Sequence, residues 1–181
     1  MLKTMSANYR AEENHSTPAS GFAAGPHGLA LWGRFGAAGL ALVAETEGTI
    51  LMQHRAAWTA QGNTWALPGG ARELGETAVE TAVRETYEEA GIDPGVYQVM
   101  DTYITAGPYP ADPHRPELAG NWTYSTVIAI AHHQVPTIAN EESLELKWVE
   151  LAEVEKLPLL GAFAQSWPVV YEKILATRQS F

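Results

Sequence analysis

Residues 70–92 read GARELGETAVETAVRETYEEAGI, and the fold is decided there. Thr77 stands three residues ahead of Glu80, the spacing of a capping box in which the hydroxyl accepts from the Glu80 N–H while the Glu80 carboxylate reaches back. Val79, Val83, Thr86 and Ala90 then recur at helical spacing and are expected to form the buried stripe. Gly91 ends the helix by taking the left-handed conformation that a side chain resists, and Pro94 reinforces the stop. Just upstream, 65–67 is a short extended piece halted by Pro68 and the pair Gly69 and Gly70, because the residue before a proline is pushed out of the helical region.

Glu85, Glu88 and Glu89 fall on this helix at spacings that project to a single face within about one turn. Like charges so placed repel, and the C-terminal end of a helix dipole disfavours anions as well. A hard divalent cation held by carboxylate oxygens removes both objections. The expectation is a rigid, water-facing metal platform, with Arg84 beside Glu88 to neutralise or orient a carboxylate. Since glutamate is a good helix former, the bland reading of the same residues is a solvated acidic surface.

Working outward, 37–43 and 49–53 read as two strands joined by a turn at Gly48. Residues 55–63 form a loop carrying Trp58. Strands are expected at 96–105, at 122–132 with period-two alternation and at 144–149, a short helical connector at 154–160, and a closing helix at 163–177, in which Pro168 requires the first turn to begin near Trp167 or to kink there. Between the strands at 96–105 and 122–132, residues 106–121 hold four prolines and two glycines and read as a binding loop. The order of strands, helix, strands, helix predicts an α/β fold with a mixed sheet between helices.

The chain has 181 residues, 46% of them apolar, enough for one core and one domain at 28–181. Residues 1–27 mix small, polar and charged side chains without periodicity, the composition of a flexible lead-in. No signal peptide is read there, and 28–43, the most apolar stretch, is too short and too interrupted by Arg34 and glycines for a membrane span. The aromatics Trp32 and Phe35 have two candidate neighbours, their own sheet or a second subunit in a homodimer. A net charge of −10 and the absence of cysteine speak against stable nucleic acid binding, disulfides and thiolate zinc, and suit a cytoplasmic setting.

Gly70, Glu76, Arg84, Glu85, Glu88, Glu89, Gly91 and Ile92, at their fixed spacings, reproduce the signature of the Nudix hydrolases, and the flanking elements extend the resemblance over about residues 36–178. Thr86 departs from the pattern, where the family usually has a large aliphatic residue. The resemblance implies an alpha/beta/alpha sandwich and hydrolysis of a pyrophosphate bond in a nucleoside triphosphate or a nucleoside diphosphate derivative. It implies magnesium, or manganese, held by Glu85, Glu88, Glu89 and the Gly70 carbonyl. Arg84 resembles the residue that orients those glutamates, and Glu76 a structural member of the loop. For the general base, Glu88 or Glu89 is a candidate, and Glu142 resembles an auxiliary glutamate from a later loop, with Glu141 and Glu145 as substitutes. Arg55 is a candidate phosphate clamp through its planar fork, and Trp58 a candidate stacking partner for a base. Tyr109, next to Pro108, is a candidate substrate-binding residue by the same resemblance, in a region where similar enzymes differ by substrate, and it supports neither a dinucleoside polyphosphate nor ADP-ribose alone. His114, His132 and His133 are read as non-ligands, and Trp65, Trp122 and Trp148 as structural. The competing function is a non-catalytic nucleotide-binding or regulatory domain on the same fold.

Overall fold

A computed structural model describes residues 21–178, so the expected lead-in over residues 1–20 lies outside the described residues. Strand β1 (Phe22–Ala24) pairs antiparallel with β2 (Ala30–Trp32) in a small hairpin. The remaining strands are β3 (Ala37–Ala44), β4 (Thr49–Arg55), β5 (Trp65–Ala66), β6 (Gly69–Ala71), β7 (Gln98–Tyr109), β8 (Trp122–Ala131) and β9 (Ser143–Glu150), with helices α1 (Ala78–Ala90) and α2 (Gly161–Arg178).

All eight residues of β3 are buried, as a strand covered on both faces must be. Its alternation assigns the faces. Ala38, Leu40 and Leu42 join Leu51, Val127 and Ala129 under Ala82 and Ala90 of α1. Ala41 and Val43 join Ile50, Met52 and Ile128 under Phe163, Trp167, Val170 and Ile174 of α2. Strand β3 runs parallel to β8 and antiparallel to β4 and β6, in a seven-stranded sheet of order β5-β4-β3-β8-β7 with β6 on β3 and β9 on β4. The architecture is the expected α/β/α sandwich with a mixed sheet.

Four local expectations are corrected. Phe22–Ala24, inside the stretch read as lead-in, is ordered by pairing, and Ala23 is fully buried with its own bridge to Ala119. Strand β7 continues through Gly107 and Pro108 to Tyr109, because Tyr109 pairs with Trp122 beyond a register shift after Ala106 and stacks on it at 6.1 Å; the loop is therefore shorter than 106–121. Helix α2 starts at Gly161 with Pro168 inside it, its first turns pinned by buried Phe163 and Trp167. The buried face of α1 is Thr81, Ala82, Thr86, Glu89 and Ala90, while Val79 and Val83 are only half-buried. Trp65 and Trp122 are buried, and Trp148 donates its indole N–H to the Val135 carbonyl at 3.1 Å, so all three are structural. Among the described residues no helix is long and apolar enough to cross a membrane.

Candidate active site

The rotation of α1 places its acidic face against β6 rather than in open water. Glu89, 2% exposed, accepts the Gly69 N–H at 2.8 Å. The Glu85 carboxylate lies over Gly70, where a Cβ would stand 2.5 Å from Glu85 Oε1. At Gly69 a Cβ would collide with the Ala38 carbonyl. Both glycines are thus required by close approach, one of strand to strand and one of strand to carboxylate. Glu88 is the open member, its side chain 44% exposed against 16% for Glu85. The expected water-facing platform is corrected in this respect: two of the three carboxylates are drawn inward.

Arg84 ties this face together. Its Nε and Nη2 donate to the two oxygens of Glu76 at 2.8 and 3.0 Å, Nη2 also to the Ala71 carbonyl at 3.1 Å, and Nη1 to Glu85 Oε1 at 2.8 Å and Glu88 Oε2 at 3.4 Å. Glu76 further accepts from the Glu73 N–H at 2.9 Å and the Thr81 hydroxyl at 2.8 Å. Its carboxyl is held down at about 2, chiefly by the Arg84 hydrogen bonds. The loop from Ala71 to Glu76 is thereby fixed to the helix it feeds.

The remaining carboxylates are pushed the other way. Burial raises Glu85 to about 7, opposed by Arg84 and reinforced by the charges of Glu88 and Glu142. Burial raises Glu89 to about 8, with Glu85 and Glu142 adding repulsion and Gln53 and Gly69 opposing it by hydrogen bonds. Glu88 is raised too, again first by desolvation. Glu142 is therefore within electrostatic reach of both inward glutamates. It arrives on a loop seated on the end of α1, where the Ile138 N–H donates to the Ala90 carbonyl at 2.8 Å and that of Asn140 to the Glu89 carbonyl at 3.3 Å. The Ala56 N–H then holds the Glu142 carbonyl at 2.8 Å.

Other candidates divide. Arg55 comes into the same field: its charge acts on the Tyr124 hydroxyl, as do those of Glu89 and Glu85, while Nη2 donates to the Ala60 carbonyl at 3.1 Å and Nε is buried without a partner. Trp58 is 68% exposed on the adjoining turn. The Tyr109 ring is committed to Trp122 in a small cluster with Ala23 and Ala37. His133 pairs with Glu47 at 3.0 Å and stacks edge-on with His132, and the His114 N–H serves Asp112.

Two site residues come from tertiary structure alone. Gln53, fully buried on β4, donates to Ser143 Oγ at 2.9 Å, and its amide lies close enough to Glu89 to oppose the rise in that carboxyl's pKa. Tyr124 on β8 aims its hydroxyl over Gly39, a position that a Cβ there would occupy. Only the absent side chain at Gly39 hinted at such a close approach.

Among the described residues no three carboxylate or imidazole side chains converge in liganding geometry; Arg84 holds Glu85 and the Gly69 N–H holds Glu89. The donor set nonetheless suits a hard divalent cation: oxygen donors only, their carboxyls crowded together and raised first by burial and then by mutual repulsion.

A capped helix with three glutamates and an arginine wired to its feeding loop, packed on a Gly-Gly strand inside a mixed α/β/α sandwich, defines the Nudix class of site. The chain belongs to the NUDIX family, whose family model for the NUDIX domain matches residues 34–170. It is 47% identical over 154 residues to a Mycobacterium tuberculosis protein named as a candidate 8-oxo-dGTP diphosphatase, covering 81% of this chain and 66% of that protein. The chain thus spans just under two-thirds of that relative's length. It is 37% identical over 177 residues to a Bifidobacterium longum fusion of a nucleoside triphosphate pyrophosphatase with a Nudix hydrolase, covering 92% of this chain and 34% of that one. The crystal structure of RenU, a Nudix hydrolase from M. smegmatis, superposes with a TM-score of 0.76 at 42% identity, covering 86% of this chain and 95% of that one.

Proposed function

We propose that this chain, through a single catalytic domain, hydrolyses a pyrophosphate bond in a nucleoside triphosphate or nucleoside diphosphate derivative with the help of a divalent metal. The observation that carries the reading is the seating of Glu85 and Glu89 against Gly70 and Gly69, where burial and mutual repulsion make their anionic forms costly until a cation neutralises them. Glu85, Glu88, Glu89 and the Gly70 carbonyl are the donors for magnesium, or for manganese. Such an ion, when bound there, would supply Lewis-acid polarisation of the phosphates and a more acidic water.

The protein's own groups do the rest. Arg84 positions Glu85 and Glu88 through Nη1. Glu142, or Glu88 or Glu89, accepts the proton of the attacking water as its oxygen bonds to phosphorus and the bridging oxygen departs with the electron pair. Arg55 holds phosphate oxygens in its fork, and Trp58 offers an exposed ring face to the base. The 47% identical relative supports a triphosphate bearing an oxidised guanine as the first compound to try. Purified protein incubated with 8-oxo-dGTP, dGTP, nucleotide sugars, ADP-ribose and dinucleoside polyphosphates is expected to release phosphate-containing products in magnesium and none with excess chelator. No metal-dependent release from any member of the panel would overturn the assignment.

A further inference from the structure

Beside the acidic face, a cavity of about 470 Å³ opens between the turn leading into β3, the loop after β6 and the approach to β8, with Arg34, Phe35, Arg72, Glu73, Glu76 and Asn121 in its wall. Its size lies within the range of small-molecule sites. Its chemistry differs from that of the glutamate face. Arg34 is exposed and, among the described residues, has no hydrogen bond or ion pair, in a chain carrying ten excess negative charges. Arg72 directs Nε and Nη2 to the Glu76 carbonyl at 3.2 and 2.5 Å, which leaves Nη1 unpartnered among the described residues. The carboxylates in the same wall do not cancel both guanidinium groups, because that of Glu76 is consumed by Arg84, Thr81 and the Glu73 N–H.

Arg72 lies two residues beyond Gly70, so the cavity begins roughly 7 Å along the strand from the carboxylates, about the reach of a polyphosphate chain. Glu73, in the cavity wall, adds repulsion at the Glu88 carboxylate, so the cavity and the open member of the glutamate face are neighbours. We propose that this cavity is a metal-independent phosphate subsite, in which the Arg34 fork and the free Nη1 of Arg72 grip a phosphoryl group of the substrate remote from the bond that breaks. The assignment of that group as substrate rests on the hydrolase reading above; the anion site itself does not.

Arg34 is the residue to change, because loss of Arg72 would also release the loop at Glu76. Calorimetric titration of the full chain with inorganic tripolyphosphate in excess EDTA is expected to show binding that Arg34→Ala weakens by about tenfold, the scale of a lost charge-assisted bidentate contact. Arg34→Lys should recover part of it. Arg115→Ala, which removes an equal charge from an arginine paired with Asp112, should stay within about twofold. In turnover, Arg34→Ala should raise KM for a nucleoside triphosphate by about tenfold and leave kcat nearly unchanged, since uniform binding is what is lost. Absence of tripolyphosphate binding by the unaltered chain, equal binding by Arg34→Ala, or an equal loss in Arg115→Ala overturns the subsite. Arg34-dependent binding in a chain that cleaves nothing would retain the subsite and refute the hydrolase assignment instead.

Discussion

At the scale of single residues, the site sets two carboxyl shifts against each other, and the pH dependence of stability reports both. Glu76 falls from 4.5 to about 2 in the fold, so its contribution is complete above pH 4.5 and is lost as pH falls through 2. Glu85 and Glu89 rise from 4.5 to about 7 and about 8. The native state then holds protons that the unfolded chain has released, and stability declines as pH climbs from 4.5 to 8. In chelator, melting temperature is therefore expected to peak near pH 4.5–5 and fall on both sides. Glu89→Gln keeps the Gly69 N–H bonded to a side-chain oxygen and removes the ionising group, so it should flatten the alkaline limb by roughly 4 kcal/mol at pH 8 while abolishing turnover. Thermal melts of both proteins in EDTA at pH 5 and pH 8 check this; an unchanged difference between the two pH values in Glu89→Gln would refute it.

At the scale of elements, α1 was legible to the residue at both ends and half-legible on its face, where Thr86 and Ala90 are buried as expected and Val79 and Val83 are not. The capping box at Thr77 and the left-handed Gly91 form as the sequence indicates, because caps are local chemistry. Thr77 is exposed, so Thr77→Ala should cost about 1 kcal/mol and lower the melting temperature by several degrees, with kcat preserved. A loss of activity larger than the loss of folded protein would mean that the cap also shapes the catalytic loop. The buried face followed a different logic. Counting apolar residues favours Val79 and Val83, whereas Gly69 and Gly70 leave room for Glu85 and Glu89 and so rotate the helix until Thr81 and Ala82 face inward. Glycine and proline likewise made 106–109 look like loop, although the pairing of Tyr109 with Trp122 continues the strand through them. A sequence displays a residue's propensity; it does not display the partner strand that overrides it.

At the scale of the whole molecule, the site is assembled from four separate segments, and Gln53 ties three of them together. From β4 it reaches Glu89 of α1 and Ser143 at the start of β9, beside Glu142, whose carbonyl is fastened to Ala56 near the end of β4. The helix that carries the metal-ligand candidates and the loop that carries the candidate base are thus registered against each other through one central strand. No local pattern marks a glutamine in a strand as such a tie, which is why Gln53 escaped the sequence reading while the signature did not. Its Oε1 is buried and unpartnered, an energetic cost that stability alone does not explain. Gln53→Leu removes that acceptor at similar volume together with the bond donated to Ser143, so the terms oppose and the net stability change should stay within about 1 kcal/mol. Turnover is expected to fall by about tenfold, because Glu89 and the Glu142 loop lose their common anchor and a small misplacement of catalytic groups is costly. Chemical denaturation and steady-state kinetics on the same preparation separate the two effects. Unchanged kcat in a stable Gln53→Leu protein would show that Glu89 and Glu142 are positioned independently of β4.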